Sequence, residues 1–232
     1  MDNALLQQKC VAYLHKLCME IPERCVGSEG NRKATQFFKE EISSFGWKTE
    51  TQEFDAMDWE QAGAGLTCKD EIFEVFVSPY SLGCDVEGTL LSASSVTELE
   101  GLALKGGILL LHGEIAKEQL MPKNFVFYNP EEHRHIISLL EKGEPQAILC
   151  ATGRNASLAG GAYPFPLIED GDFNIPSVYM TDVEGLRLLP HTGETVTLRS
   201  VSKRIMGKGE NVIARKGKRR DKRIVVTAHI DA

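Results

Sequence analysis

The sequence predicts an α/β protein. Three observations carry that expectation. The first 56 residues read helix, helix, strand. The middle of the chain alternates short apolar runs with amphipathic segments. The last 35 residues return to strand-like patterning. The length of 232 residues with 42% hydrophobic and 25% charged residues is that of an ordinary globular chain of one or two domains.

The first region runs from residue 1 to about 56. Leu6, Cys10, Leu14, Leu17, Cys18 and Ile21 recur at helical spacing, and Pro22 stops the pattern. Ser28 is placed to cap a second helix with the apolar face Ala34, Phe37, Phe38, Ile42 and Phe45, and Gly46 supplies a left-handed stop. Trp47 to Phe54 is then expected to be extended, with Thr49 and Thr51 favouring a strand.

The second region, about 57 to 197, offers five strand candidates: Ile72 to Val77, Thr89 to Leu91, Gly107 to Leu111, Gln146 to Cys150, and Pro176 to Met180. Pro130 to Lys142 is a helix candidate, with Asn129 as cap and Glu131 and Glu132 complementing its dipole. Asp182 is placed to cap a short helix through Leu189. Gly153 to Asp172, rich in Gly, Pro and Ala, reads as a long loop. The third region, from about 198, holds two strand candidates, Asn211 to Arg215 and Arg223 onward, with a polar turn over Lys216 to Asp221.

Charge and composition exclude several classes. The net charge of −7 disfavours a nucleic-acid partner, because an acidic chain repels a phosphate backbone. The ten Lys or Arg against two acids between Lys203 and Arg223 fit a solvated turn. No apolar run approaches the roughly 20 residues that cross a bilayer, so no membrane partner is expected. The start has no basic segment followed by an apolar one, so no secretion signal is read, and a cytoplasmic location is expected. The six cysteines form no C-x-x-C pair and are expected to be free, buried, small hydrophobes.

Most candidate sites dissolve on their own geometry. His133 and His135 are two apart, and on a helix such residues point about 200° from each other. Asn155 to Ser157 matches a glycosylation sequon without the secreted setting that would give it meaning, and Gly207 to Gly209 lacks the rest of a nucleotide loop. No G-x-S-x-G elbow is present. Asp85, His112 and His191 read as isolated surface residues near turns.

One constellation survives. Arg223 to Ala228 reads as an apolar strand that delivers His229 and Asp231 at its C-terminal edge, where ligand sites of open α/β sheets lie. Residues two apart on extended chain share a face. One physical reading is a metal-binding imidazole on His229 with Asp231 accepting its other ring N–H. The other is a capping or turn pair at a strand end.

The context of that pair carries a resemblance. Arg24 to Asn31, followed by Ala34, Phe37, Phe38, Phe45 and Gly46, resembles the N-terminal signature of the co-catalytic di-zinc aminopeptidases, the bacterial leucyl-aminopeptidase and aminopeptidase S-like metallopeptidases. Asn211 to Ala214, a turn, and Ile224 to Asp231 look like the strand pair that carries their first zinc ligand. The middle region is similar to their inserted protease-associated (PA) domain, through Val86 to Gly88, Lys105 to Leu111, Gln146 to Leu149 and Asn174 to Thr181. The resemblance covers nearly the whole chain and implies a discontinuous catalytic domain, 1–56 with 198–232, bracketing a β-rich PA-like insert, 57–197. That catalytic domain would hold part of a mixed, largely parallel exopeptidase sheet. It implies that His229 is a zinc ligand, that Asp231 is a catalytic support residue, and that the substrate is a peptide with a free N-terminus. Two zinc ions are expected in the complete protein. The family's remaining ligands and its general base lie in a further half chain, so these 232 residues alone are expected to be inactive and to associate through an unpaired sheet edge. The alternative is a non-catalytic protein- or peptide-interaction module built on the PA region.

Overall fold

The computed structural model describes residues 3–154, 163–218 and 223–231. In chain order its elements are α1 (Asn3–His15), α2 (Glu29–Ser44), β1 (Lys48–Cys68), β2 (Glu71–Phe73), β3 (Phe76–Val77), β4 (Cys84–Ala93), α3 (Val96–Glu100), β5 (Ile108–Leu111), α4 (Glu131–Gly143), β6 (Ala147–Thr152), β7 (Ser177–Thr181), α5 (Asp182–Leu188) and β8 (Thr195–Arg215). The chain divides into two compact units: Met1–Asp58 with Ile205–Ala232, and Trp59–Arg204. The long strands β1 and β8 each continue from one unit into the other.

In the first unit, α2 forms where the sequence places it. The Ser28 hydroxyl accepts from the Asn31 amide at 3.0 Å, and Glu29 lies in the first turn, where a carboxylate complements the exposed amides. Gly46, at φ 76°, ends it as expected. Ala34 is fully buried, whereas Phe38 and Phe45 stay partly exposed. The first helix also forms and passes into a π-helical stretch, Lys16–Glu20, before Pro22. Its apolar stripe behaves differently from expectation: α1 buries no residue, and Cys10 and Cys18 are exposed. Helical spacing reports a possible apolar face; burial needs a second surface to meet it. What holds α1 is largely polar and aromatic. Tyr13 stacks edge-on against Phe37 at 5.7 Å and donates to Glu41 at 2.8 Å.

The second unit holds the buried sheet. Strands hydrogen-bond in the order β2-β1-β8-β4-β5-β6-β7-β3. β4, β5, β6 and β7 run parallel, with Leu91 opposite Leu109, Leu110 opposite Leu149, and Cys150 opposite Tyr179. The N-terminal part of β4 turns to antiparallel pairing with β8, Cys84 opposite Ser200 through Thr89 opposite Thr195. These parallel registers lie in the second unit.

β5 and β6 are apolar without interruption because they are covered on both faces, the usual state of central parallel strands. Alternation sorts their side chains. Leu109, Leu111, Ile148 and Cys150 join one cluster with Ile136, Ile137 and Leu140 of α4. Ile108, Leu110, Ala147 and Leu149 join the other with Leu66, Phe73, Val178 and Leu198. Burial pushes the Cys150 thiol far above its ordinary pKa, so it stays protonated and inert.

Local details differ from the sequence reading at four places. The run from Ile72 to Val77 breaks into β2 and β3, which pair with different neighbours, β1 and β7. Pro130, with no side-chain bond to offer, occupies the cap of α4; Asn129 instead donates to the carbonyls of Pro122 and Lys123 at 3.2 and 3.1 Å. Thr181 caps α5, accepting from the Glu184 amide at 3.1 Å, because its extended backbone (φ −66°, ψ 153°) precedes the first helical residue, Asp182. The fourth is Arg223 to Asp231, which belongs to no strand. Ile224, Val225 and Val226 are exposed by 95, 79 and 87%. A strand is a paired state, and β-branched residues favour it only against a neighbouring ladder. Residues 219–222, which include part of the expected turn, lie outside the described residues, as do the sequon at 155–157 and part of the 153–172 loop.

Candidate metal-ligand segment and its surroundings

The segment that carries His229 is fixed from behind by Arg24. Its Nε donates to the Ile230 carbonyl at 2.9 Å, between the two candidate site residues. The same guanidinium donates to the carbonyls of Leu17 and, at 2.7 Å, Ile21. Asn31, buried at the start of α2, returns a bond from Nδ2 to the Arg24 carbonyl at 3.3 Å. Arg32 then ties Gly27 and Lys208 together, through their carbonyls at 2.7 and 3.2 Å. The signature Arg24 to Asn31 is thus a knot of side-chain-to-backbone bonds joining the π-helical stretch, the start of α2 and residue 230. Sequence reasoning found this signature but not what Arg24 grips, because its partner lies 206 residues away.

His229 and Asp231 lie together, as their spacing predicts. Nδ1 of His229 is 3.1 Å from Oδ1 of Asp231, and the imidazole is 93% exposed. A carboxylate on Nδ1 sets the tautomer that leaves the Nε2 lone pair outward, which is how a metal-ligating histidine is prepared. A hydrolytic zinc centre needs three protein ligands and an open position. Among the described residues, the three whose ligand atoms lie within 4.8 Å of one another are Cys68, His191 and Glu194, and His229 does not belong to that group. The described residues therefore do not by themselves fit a co-catalytic two-zinc centre.

Replacing Arg24 by Ala should release Ile230 and the 17–21 carbonyls together. Hydrogen bonds from a charged donor contribute about 1.5–3 kcal/mol, so a loss of that order in the first unit is expected. The check is the shift of the urea midpoint. A change under about 0.5 kcal/mol, the usual range of neutral surface substitutions, would mean that the guanidinium is not a structural tie.

The other histidines resolve differently. His133 is buried on α4 and accepts the Met121 amide at 3.1 Å through Nδ1, while His135 meets Glu100 at 2.7 Å; neither shares a ligand position with the other. His191, expected as an isolated surface residue, is instead largely buried beside Cys68 and Glu194. Burial raises the Cys68 thiol pKa first of all, with Glu194 adding to it. Lys69 and His191 hold the Glu194 carboxyl down at about 2.

The chain has the α/β fold found in bacterial zinc aminopeptidases. The solved structures that show this include an aminopeptidase from Aneurinibacillus sp. strain AM-1, at 19% identity and a TM-score of 0.62 over 91% of this chain and 49% of that one. A zinc aminopeptidase from Bacillus subtilis matches at 14% identity and 0.60, over 91% of this chain and 47% of that one. A peptidase M28 precursor from Shewanella amazonensis matches at 14% identity and 0.59, over 88% and 48%. The chain therefore spans about half the length of these proteins, and the likeness at such identities is one of fold. No protein-family model and no curated protein matches the sequence. Among the described residues no helix is long and apolar enough to cross a membrane.

Proposed function

We propose that this chain is the N-terminal portion of a zinc-dependent aminopeptidase that removes N-terminal residues from peptides. His229 is its first metal ligand and Asp231 the carboxylate that orients it. The segment 57–197, most of which lies in the unit Trp59–Arg204, is read as the inserted PA-like domain. The observation that carries this reading is the fold likeness to two bacterial aminopeptidases and a peptidase of the same fold over about nine-tenths of the chain. The His229–Asp231 pairing supports it, since an outward Nε2 backed by a carboxylate is of little use to a surface turn. The remaining ligands and the general base would come from residues outside these 232.

The test is hydrolysis of aminoacyl amides by the polypeptide translated to its natural stop codon and loaded with zinc. His229→Ala should lower kcat/KM by about 100-fold or more, and Asp231→Asn by about 10–100-fold. No hydrolysis by the folded, zinc-loaded protein, or full activity in His229→Ala, would overturn the proposal.

A second reading rests on one feature of the second unit. A cleft of about 440 Å³ is lined by Trp59, Val75, Phe76 and Tyr179 among others. Aromatic walls of this kind suit a peptide or protein segment, and a non-catalytic interaction module would use them. That reading predicts that His229→Ala leaves all function intact.

A further inference from the structure

Two tight turns of the second unit meet side by side. One is the hairpin turn between β1 and β2, from Cys68 to Glu71, whose end residues pair across the ladder. The other is His191 to Glu194, closed by the Glu194 amide donating to the His191 carbonyl at 2.9 Å. β4 pins this second turn from both sides: the Gly193 amide donates to the Leu90 carbonyl, and the Leu90 amide to the Glu194 carbonyl, each at 2.8 Å. The two turns bring a thiol, an imidazole and a carboxylate together, with their ligand atoms all within 4.8 Å of one another.

We infer that Cys68 Sγ, His191 Nδ1 and Glu194 Oε2 form a three-ligand site for a borderline-soft divalent cation of the zinc type. The first argument is distance. A tetrahedral zinc ion with sulfur at about 2.3 Å and oxygen at about 2.0 Å separates those donors by about 3.5 Å, and nitrogen from oxygen by about 3.3 Å. Sγ of Cys68 stands 3.5 Å from Oε2 of Glu194, and Nδ1 of His191 stands 2.9 Å from the same oxygen. Loading asks the His–Glu contact to open by a few tenths of an ångström.

The second argument is the outer layer. A ligating histidine normally gives its other ring N–H to a carboxylate, and ligating carboxylates are themselves hydrogen-bonded. His191 Nε2 lies 3.4 Å from Glu71 Oε1. Glu194 has its other oxygen, Oε1, held by Lys69 Nζ at 2.7 Å, which leaves Oε2 turned toward Cys68 and His191. Thus each of the two nitrogen and oxygen ligands has its second atom engaged elsewhere.

The third argument is the donor set and its setting. Thiolate with imidazole selects zinc over magnesium or calcium. Cys68 is 1% exposed, and Phe73, also buried, stacks edge-on against His191 at 6.0 Å. Before binding, the 2.9 Å contact holds a proton on His191 Nδ1, donated to Glu194; binding shifts that proton to Nε2, which faces Glu71, and releases the Cys68 thiol proton to solvent in exchange for the metal–sulfur bond. The ion would fasten the β1–β2 hairpin to the turn before β8, and the inference stands apart from the aminopeptidase reading.

The test uses the whole 232-residue protein, stripped with chelator, and cobalt(II) or zinc alone. One equivalent of cobalt(II) should produce a thiolate-to-metal charge-transfer band that zinc removes. Cys68→Ser should abolish that band. Glu194→Gln, which changes no shape, and Glu71→Gln should each weaken binding by about 10–100-fold. His229→Ala should leave the band unchanged, which keeps this site separable from the proposed peptidase ligand. Circular dichroism identifies any variant that fails to fold. The absence of a charge-transfer band in the folded protein, or its persistence in Cys68→Ser, would overturn the inference.

Discussion

Gly30→Ala should destabilise the first unit by about 3 kcal/mol or more, a large effect for one methyl group. A Cβ at position 30 would stand 1.8 Å from the carbonyl oxygen of Glu23, and 3.0 Å from its carbon. Both are backbone atoms, so no side chain can rotate away. The collision is resolved only by displacing Glu23 and with it Arg24, which loses its grip on Ile21 and Ile230. The cost is steric and comes with secondary damage to a hydrogen-bonded knot. Gly46→Ala makes the control: its site is open, and only its positive φ is unfavourable, so about 1 kcal/mol is expected there. Trp47 lies in the first unit and Trp59 in the second. Urea unfolding followed by Trp47 fluorescence in a Trp59→Phe background reads the relevant transition. Equal midpoints for the Gly30 and Gly46 variants would refute the close approach.

Leu149→Ala should cost the second unit about 2–5 kcal/mol. Leu149 is fully buried in the middle of β6, opposite Leu110 on one side and Val178 on the other. Both neighbours belong to continuous ladders, so the surrounding strands have little freedom to close the cavity. Ile72→Ala, at a side chain 74% exposed, should fall within about 0.5 kcal/mol. Trp59 fluorescence in a Trp47→Phe background gives the two midpoints. A similar cost at both positions would contradict the burial pattern that defines this core.

Elements with strong local signals were legible in the sequence. The Ser28 cap and its helix, the uninterrupted apolar runs of β5 and β6, and the periodic α4 all follow from spacing and propensity alone. Cap identities were harder, since Asn129 against Pro130 and Thr181 against Asp182 differ by one residue, and backbone angles decide between them. The β2–β3 break was hidden because both fragments are apolar and only tertiary pairing separates them.

The candidate residues divide in the same way. The contact between His229 and Asp231 was legible because both lie within three residues. Cys68 and Glu194 are 126 apart, and no local pattern joins them; His191 next to a turn gives the same signal as any surface histidine. The reach of Arg24 to Ile230 was equally invisible. The strand expected over Arg223 to Ala228 was read from composition, yet the pairing that makes a strand is not a property of the segment itself.

That unpaired stretch sets a clock on the molecule. Amides of Ile224, Val225 and Val226 have no ladder to protect them, so they should exchange with deuterium at nearly open-chain rates, while those of Ala147 to Ala151 exchange only through unfolding. Fixing three such residues costs about 3–6 kcal/mol of backbone entropy. Anything that pairs these three residues into a ladder must supply that free energy.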